Sequence, residues 1–496
     1  VPVGVNRTWV KYVEKGVFPH TRRTFTVQRC NHCADAPCVE ICPVRALFIR
    51  PDGIVDFDGQ RCIGCKSCMQ ACPYDALYID PDTQTAAKCN YCAHRVDNGI
   101  EPACVVVCPE RAIIAGDLDD PGTEIARLVA RHPVSVRKAE KGTRPKLFYI
   151  DADEAALRPE LAPPGNAYSA TAQAAGVGHH AHQRSARWSG AAGKAAAEAA
   201  DGGAVAAVPG PPSQRTYDVP DKGVLWGWEV AGYLWTKSIA AGVVTAPLLL
   251  DLAGIMTIPP SFAALLGWLA LLFLALTGVL LVKDLDRPAR FLYVLLRPQW
   301  RSWLVRGAYA MLVYGGLCLF WALYAARTGD TGPAWFKALL AIVGLIVASY
   351  TGFLFAQAKG RDFWQTPLLP IHMALQSVIN GLVVVLGIAL LAGAQESAGF
   401  DRLLAALLLV SLGLLLTEFM LSHASQDAAT AAWIIIRGPL RRVFWPAAAL
   451  GIAVPLVLFA SGAAPHWKLL ACVLVLIFSL PMEHVRVKAP QLVPQS

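Results

Sequence analysis

The sequence CIGCKSCMQACP at residues 62–73 arranges four cysteines as C-x2-C-x2-C-x3-C-P. A related group, C-x2-C-x4-C-x3-C-P, precedes it and ends at Pro43, and a third, C-x2-C-x11-C-x3-C-P, follows it and ends at Pro109. The three groups hold twelve of the fourteen cysteines: Cys30, Cys33, Cys38, Cys42; Cys62, Cys65, Cys68, Cys72; and Cys89, Cys92, Cys104, Cys108. The N-terminal part of the chain is therefore organised around thiol chemistry.

The spacing in the central group is the bacterial run that holds [4Fe–4S] clusters. A cubane needs four thiolates, and a tight C-x2-C-x2-C loop surrounds three of its iron corners and can direct backbone N–H groups at the sulfurs. The fourth cysteine precedes a proline that ends the local turn, and in such runs it binds the neighbouring cluster. This crossing rule predicts two ligand sets: Cys30, Cys33 and Cys38 with Cys72, and Cys62, Cys65 and Cys68 with Cys42.

Two other uses of cysteine fit the pattern less well. Structural zinc also binds CxxC pairs, but its knuckles usually supply two ligands each and lack a three-plus-one grouping that ends in Cys-Pro. A disulfide framework is disfavoured because CxxC pairs at this density suit metal binding better. We therefore expect iron–sulfur clusters.

Repeats after the Cys-Pro endings predict the fold around the clusters. Residues 42–49, 72–79 and 108–114 each read as a short helical turn that passes into a strand. Turns at 51–53 and 81–82 then reverse two of these strands into second strands. The sequence thus predicts an α+β bacterial-type polyferredoxin domain over residues 1–150, with short helices and β-hairpins around the clusters.

The order of the three spacings resembles that of the four-cluster iron–sulfur subunits of molybdopterin complexes of the dimethyl-sulfoxide-reductase type. Those subunits carry a further C-x2-C-x2-C-x3-C group ahead of these three, which this sequence lacks. We expect such a group to precede Val1, in which case Cys89, Cys92 and Cys104 bind a third cluster and Cys108 a fourth. Alternatively, the third group holds one cluster by itself. Both alternatives keep the two clusters that the crossing rule predicts. We expect three or four clusters in the full chain.

Ala, Gly, Pro and Ser dominate from about residue 161 to 219, which predicts a flexible linker over residues 151–222. The remainder, 223–496, is very apolar. It raises the whole chain to 55% hydrophobic residues and a mean hydropathy of +0.43, too apolar for an ordinary soluble protein. The sequence predicts an all-α bundle of eight membrane spans, most of them reaching the ~20 residues that crossing requires. The spans are at about 226–252, 260–282, 304–326, 335–357, 367–392, 402–422, 443–461 and 467–482.

Basic residues concentrate in the loops on one side of this bundle. An even number of spans places both of its ends on the side of the cluster domain. Twelve Lys and Arg residues follow on that side, among them Arg287, Arg361 and Arg486, against Arg327, Arg402 and Lys468 opposite. The positive-inside rule makes the cluster side cytoplasmic, in a bacterial inner membrane. A basic loop can equally be a docking surface for a partner subunit.

Ionisable residues in and beside the spans gather toward the same end. Because such groups are costly in a membrane, they are candidates for function. Glu229 and Lys237 lie in the first half of span one, Asp284 and Arg287 follow span two, and His372 begins span five. We interpret these five as a quinone pocket. Asp251, at the far end, belongs to a proton path or to the interface.

The stretch DLDRPARF at residues 284–291, followed by Arg297-Pro298 and Ser302-Trp303, resembles the polysulfide-reductase-type (NrfD) membrane anchor. That family also has eight spans, and the resemblance implies quinone or quinol exchange near the cluster side, with Glu229, Asp284 and Arg287 carried over by position. We expect no haem, because a pair of haem ligands would need histidines facing each other at mid-membrane, whereas His372 and His423 both lie near the ends of predicted spans.

Together these features predict an electron-transfer and membrane-anchor fusion, a subunit of a quinone-linked oxidoreductase using menaquinone or ubiquinone. No part of the chain resembles a molybdopterin site, so substrate chemistry is assigned to a molybdopterin partner subunit of the sulfite dehydrogenase or the polysulfide/thiosulfate reductase type. The alternative is an ion-translocating respiratory module, for which a polar path from Glu229 and Lys237 to Asp251 is required. No basic tract indicates nucleic-acid binding.

Overall fold

The computed structural model describes residues 1–2, 5–170, 212–219, 222–393, 398–420 and 422–495. The chain divides into two compact units. The first, called the cluster unit, comprises Val1–Leu225 with two later segments, Ala358–Arg361 and Gln491–Ser496. The second, called the helical unit, comprises Trp226–Gln357 and Asp362–Pro490.

The cluster unit is built of short helices and strands, as the sequence predicts for its fold class. In chain order its described elements are β1 (Thr8–Val17), β2 (His20–Arg29), α1 (Pro37–Ile41), β3 (Leu47–Ile49), β4 (Val55–Phe57), α2 (Ser67–Ala71), β5 (Leu77–Asp80), β6 (Thr85–Lys88), α3 (Ala93–Val96), α4 (Ala103–Val106), α5 (Glu124–Arg131), β7 (Val134–Ser135), β8 (Tyr149–Ile150), α6 (Glu154–Leu157), β9 (Pro164–Ala170) and β10 (Ser213–Asp218).

Two antiparallel hairpins form where turns were expected. β3 pairs with β4 through Leu47↔Phe57 to Ile49↔Val55, and β5 pairs with β6 through Leu77↔Lys88 to Asp80↔Thr85. The third repeat differs, because residues 109–116 form no strand in the part of the chain that the structure describes. After this repeat, Asp117 and Asp120 accept hydrogen bonds from backbone N–H groups two residues on. The chain therefore forms local Asx turns here, where a hairpin would need a second strand to pair with the first.

A four-stranded sheet corrects the linker prediction. Its strand order is β2-β1-β10-β9; β1 is antiparallel to β2 and β10, with Tyr12 opposite Tyr217, and β9 runs parallel to β10. Both β9 and β10 lie within 151–222, so the predicted flexible linker is wrong at both flanks. Strand β9 contains Pro and Gly and β10 is polar; both are held in a sheet with a hairpin that is distant in sequence, which local composition does not reveal. The middle of the predicted linker, 171–211, lies outside the described residues.

Two short segments from the C-terminal half also belong to the cluster unit. Arg361 donates from Nε to Gln70 Oε1 at 2.9 Å, and Gln70 donates to Gln491 Oε1 at 2.6 Å. Gln495 donates to the Gly360 carbonyl at 2.6 Å, and a Cβ at Gly360 would stand only 2.8 Å from the Cys72 carbonyl oxygen. The two segments therefore pack tightly on helix α2 and the residue that follows it.

The helical unit contains the eight apolar helices that the sequence predicts, counted over the described residues. Its elements are α7 (Trp228–Leu252), α8 (Pro260–Lys283), α9 (Tyr293–Leu296), α10 (Trp303–Thr328), α11 (Ala334–Gln357), α12 (Leu368–Leu391), α13 (Ala398–Met420), α14 (Gln426–Ile436), α15 (Arg441–Ala448), α16 (Val454–Ala460) and α17 (Pro465–Lys488). A π-helical turn, Ala449–Ala453, joins α15 and α16 into one span. The protein is thus a multi-pass membrane protein.

The last helix is longer than predicted. The sequence places the eighth span at 467–482, whereas α17 continues to Lys488. The charged residues Glu483 and Arg486 are buried parts of this helix. The charge count treats Arg486 as a basic loop residue, and this is wrong because Arg486 lies within the helix.

Helices α7 and α12 cross with their backbones in contact. A Cβ built on Gly242 would lie 1.8 Å from the Ser377 carbonyl oxygen. A Cβ built on Gly381 would lie 2.0 Å from the Gly242 carbonyl oxygen. Small residues are the usual means of such close approach in a membrane, where packing rather than hydrophobicity drives helix association. These two glycines therefore set the separation of the two helices.

Replacing Gly242 should open this crossing. We expect Gly242→Val to lower the free energy of unfolding by at least about 2 kcal/mol, since overpacking in a filled interior forces the backbone apart. The measurement is the thermal unfolding midpoint in detergent. Gly278→Val on α8 is the matched control, because nothing lies within 4 Å of a Cβ at that position. Equal midpoints for the two variants would contradict the close crossing.

Candidate functional site

Four cysteines of the cluster unit surround one small cavity, called chamber A. Cys30, Cys33, Cys38 and Cys72 line it, and its empty volume is about 310 Å³. Val55, Tyr74 and Leu77 are among the other residues in its wall. Chamber A thus combines three cysteines of the first group with the last cysteine of the second.

A second cavity, called chamber B, has the reciprocal composition. Cys42 lines it together with Cys62, Cys65 and Cys68, and its empty volume is about 370 Å³. Lys66 and Ala86 are also in its wall. The structure therefore brings together the same two sets of four cysteines that the crossing rule predicts.

Two short helices explain why each chamber receives its fourth cysteine from the other group. Helix α1 carries Cys38 of chamber A, and its C-cap, in extended conformation, is Cys42 of chamber B. Helix α2 carries Cys68 of chamber B, and its extended C-cap is Cys72 of chamber A. Each helix stops at its C-cap because a proline follows, and the residue before proline is disfavoured in the helical conformation.

The backbone around chamber B supplies N–H donors to sulfur. Ala46 N donates to Cys42 Sγ at 3.2 Å, Gly64 N to Cys62 Sγ at 3.4 Å and Ala86 N to Cys62 Sγ at 3.3 Å. Gly64 and Lys66 have φ of +72° and +59°, a left-handed conformation that turns the loop tightly between its cysteines. Such N–H groups stabilise negative charge on the sulfurs.

The chambers suit a cluster better than a single ion. Four thiolates on one zinc ion lie about 4 Å apart, whereas those on a cubane bind separate iron corners around it. Among the described residues, no group of three or more His, Cys, Asp or Glu side chains is placed to hold one metal ion. The thiols instead border cavities, and a [4Fe–4S] cluster fits that arrangement.

Burial makes these thiols poor acids on their own. It raises the pKa of Cys33 to about 12, with Cys30 acting in the same direction. Burial likewise raises the pKa of Cys65 to about 12, with Cys42 adding to the effect. Thiolates at neutral pH therefore need a cationic centre in each chamber, which the irons of a cluster supply.

The third cysteine group is more open. Cys89 is buried, whereas Cys92, Cys104 and Cys108 are partly exposed. Arg29 donates from Nη1 to Cys104 Sγ at 3.2 Å, and Ala112 N donates to Cys108 Sγ at 3.2 Å. Whether this group closes a cluster alone or shares two clusters stays a prediction.

In the helical unit, the predicted pocket residues fall into two places at the same end of the helices. Glu229, Asp284, Lys237 and His372 are buried, and Arg287 is half-buried. Glu229, at the start of α7, lies 3.9 Å from Lys283 Nζ through its Oε1. Its Oε2 is buried and has no hydrogen-bond partner among the residues that the structure describes. Glu229 is thus paired weakly on one side only.

Lys237 lies two turns further along α7. Its Nζ donates to Thr351 Oγ1 at 2.5 Å and to the Ala348 carbonyl at 3.1 Å. The same nitrogen stands 4.5 Å from the centre of the Tyr350 ring. Glu483 is within electrostatic reach, so Lys237 is held among donors and acceptors from α11 and α17.

Glu483 and Arg486 are functional candidates that the sequence prediction missed. Arg486 Nη2 lies 3.1 Å from Glu418 Oε2, and its Nη1 lies 3.7 Å from Glu483 Oε1. Arg486 also acts electrostatically on His372. This acid–base cluster links α12, α13 and α17 to Lys237. The i,i+3 spacing of Glu483 and Arg486, continuing the apolar period of the last span, is the signal that was available.

Among the described residues, the opposite end of the helices carries a half-buried ion pair and a buried one. Lys337 lies 2.6 Å from Asp251, and Lys468 lies 2.7 Å from Asp401. Asp251 is therefore engaged in an ion pair between α7 and α11. The sequence does not reveal the partner of Asp251, because Lys337 lies in a different predicted span.

Fold and site define a membrane-bound iron–sulfur protein, and comparison with known families gives its class. Residues 219–485 match the family described as polysulphide reductase, NrfD, and residues 21–118 match the 4Fe-4S dicluster domain. This protein belongs to the NrfD family of polysulphide reductase proteins and carries an iron–sulfur domain ahead of that region.

Two similar proteins are named as parts of reductases, and a third is named protein NrfC. The chain is 45% identical to a tetrathionate reductase subunit of Salmonella typhimurium over 29% of its own length and 64% of the relative's. It is 41% identical to a polysulfide reductase chain of Wolinella succinogenes over 30% and 80%, and 42% identical to protein NrfC of Escherichia coli over 30% and 69%. The match to the Salmonella relative thus spans a little under two thirds of that protein's length.

Serine substitutions test the exchange between chambers. We expect Cys72→Ser to remove or convert the same cluster as Cys33→Ser, and Cys42→Ser to affect the same cluster as Cys65→Ser, because each pair lines one chamber. EPR spectra with iron content per chain distinguish the two clusters. If Cys72→Ser altered the signal that Cys65→Ser alters, or if iron content and spectra stayed unchanged, the assignment would be wrong.

Proposed function

We propose that this chain transfers electrons between a membrane quinone pool and a molybdopterin-containing partner subunit. The observation that carries the proposal is the combination, in one chain, of two four-cysteine chambers and an NrfD unit with buried acids and bases at one end of its helices. Neither part alone accounts for quinone-linked electron transfer. Together they supply an electron relay and a site where protons can be exchanged.

The proposed ligands follow the chambers. Cys30, Cys33, Cys38 and Cys72 bind one [4Fe–4S] cluster in chamber A, and Cys42, Cys62, Cys65 and Cys68 bind another in chamber B. Each cluster carries single electrons when bound. The third group adds one or two clusters, as its two alternative pairings require. The protein's part is to bury the thiolates, exclude water and donate N–H groups to sulfur, which are the factors that set reduction potentials.

Quinone exchange makes a different demand on the helical unit. Oxidation of one quinol releases two electrons and two protons, and reduction of a quinone consumes them. Glu229, with a buried unpaired oxygen, is proposed to hold one of these protons, and Asp284 and Arg287 to orient the ring oxygens at the same end. Lys237 and His372, with Glu483 and Arg486, form a second buried acid–base group that can pass protons onward.

The partner is inferred from the relatives. The tetrathionate reductase subunit, the polysulfide reductase chain and the arsenate respiratory reductase iron–sulfur subunit of Shewanella are named as parts of larger reductases. By the resemblance drawn from the sequence, the partner is a molybdopterin enzyme of the sulfite dehydrogenase or the polysulfide/thiosulfate reductase type. Basic loops such as 437–442 favour a cytoplasmic position for the cluster side, in a bacterial inner membrane.

Ion translocation, the alternative function, has less support. Polar contacts do continue inward from Lys237, since Asn380 donates to Ser238 Oγ at 3.0 Å and Tyr314 donates to the Ala240 carbonyl at 3.1 Å. Between Thr245 and Asp251, however, α7 has the apolar sequence 246–250. Asp251 itself is paired with Lys337. Electron exchange at one end of the helices is therefore the better-supported function.

Glu229→Gln tests the quinone site. We expect quinol turnover to fall roughly 10²-fold, because an amide cannot take up the proton that a carboxylate accepts. Iron content and cluster EPR should be unchanged. The measurement is the steady-state oxidation of a quinol analogue by the complex purified with its partner.

Asp330→Asn provides the matched control for this variant. Asp330 is an exposed acid in the loop after α10, and its carboxylate accepts a long hydrogen bond, 3.5 Å, from the Tyr324 hydroxyl. Its substitution should leave turnover at the wild-type rate. Wild-type quinol kinetics in Glu229→Gln would remove Glu229 from the site.

A further inference from the structure

Lys88 is a fully buried lysine between two groups of cysteines. It is the last residue of β6 and directly precedes Cys89, and its exposed fraction is 0%. Its Nζ donates to the Val55 carbonyl and, at 2.9 Å, to the Cys89 carbonyl. Val55 is part of the wall of chamber A. The amine is thus fixed at the boundary between chamber A and the third cysteine group.

The charge of Lys88 reaches sulfur atoms on both sides of that boundary. Lys88 acts electrostatically on Cys38, in chamber A, and on Cys89, the residue that follows it in the chain. The side chain therefore favours negative charge at chamber A and at the first cysteine of the third group.

Two carbonyl oxygens do not compensate the burial of an ammonium group. Removing such a charge from water is expensive unless an opposite charge lies nearby. His32, which neighbours Lys88 and accepts a hydrogen bond from Val55 N at 3.1 Å, supplies no negative charge. A cluster with four thiolates does provide negative charge, and it gains one more on reduction.

We propose that Lys88 raises the reduction potential of the cluster in chamber A. The proposal rests on the ligand sets assigned above. A fixed cation stabilises the reduced cluster more than the oxidised one, because the reduced cluster carries one more negative charge. Lys88 acts through this field and is not itself a ligand.

Chamber B offers a matched residue for comparison. Lys66 lies in its wall and is 1% exposed, between Cys65 and Ser67. It is a buried lysine beside one chamber, as Lys88 is beside the other. Removing the charge of Lys88 should therefore affect the cluster in chamber A, and removing that of Lys66 the cluster in chamber B.

The test is a redox titration of the full chain followed by EPR, with dithionite as reductant. The chamber A signal is first identified as the one lost in Cys33→Ser. We expect Lys88→Met to shift the midpoint of that signal to lower potential and to leave the chamber B midpoint in place. Lys88→Arg, which keeps the charge, should restore the wild-type midpoint, and Lys66→Met should lower the chamber B midpoint only.

Iron content per chain distinguishes an effect of the lost charge from the loss of a cluster through misfolding. If Lys88→Met loses iron, the titration is made on Lys88→Gln, which keeps a hydrogen-bond donor without the charge. Wild-type midpoints in a neutral variant that retains its iron, or equal shifts at both chambers, would overturn the role of Lys88. A Cys33→Ser protein with all its cluster signals would instead overturn the ligand sets on which the proposal rests.

Discussion

Four buried thiols around one cavity are the constraint on which the cluster unit depends. Buried beside one another, such groups resist ionisation, as the pKa of about 12 for both Cys33 and Cys65 indicates. A cationic cluster removes this penalty and joins loops that are far apart in sequence. Because α1 ends in Cys42 and α2 ends in Cys72, each cluster would tie both helices together. The two chambers are thus interdependent, and neither can be completed by one cysteine group alone.

A different balance governs the helical unit. Its glycines allow α7 and α12 to touch, while its buried charges are distributed between two ends with different properties. At the far end, Asp251 and Asp401 are each matched by a lysine at short distance, as expected of structural ion pairs. At the other end, within the described part of the chain, one carboxylate oxygen each of Glu229 and Glu483 and Nδ1 of His372 are buried without a hydrogen-bond partner. Incomplete pairing of costly groups is typical of a site that exchanges protons with a ligand.

The sequence was sufficient where the chemistry imposes spacing. The exchange of Cys42 and Cys72 follows from the ligand geometry of clusters, and the eight spans follow from the thickness of a bilayer. It was insufficient where structure depends on distant contacts. Strand β10 is polar and follows a low-complexity stretch, yet it pairs with β1 across some two hundred residues. Glu483 and Arg486 fell outside the predicted last span, and Arg486 was counted as a loop residue, because local hydropathy counts their charges without their partners Lys237 and Glu418.

Quinone-dependent oxidation of the clusters tests the central claim most directly. The clusters of the purified full-length protein are reduced with one equivalent of dithionite per cluster, and a soluble quinone analogue is then added anaerobically while their visible absorbance is followed. The account predicts that absorbance returns with a stoichiometry of two cluster electrons per quinone, and that the return is slow in Glu229→Gln. Clusters that stay reduced in the presence of excess quinone would contradict it.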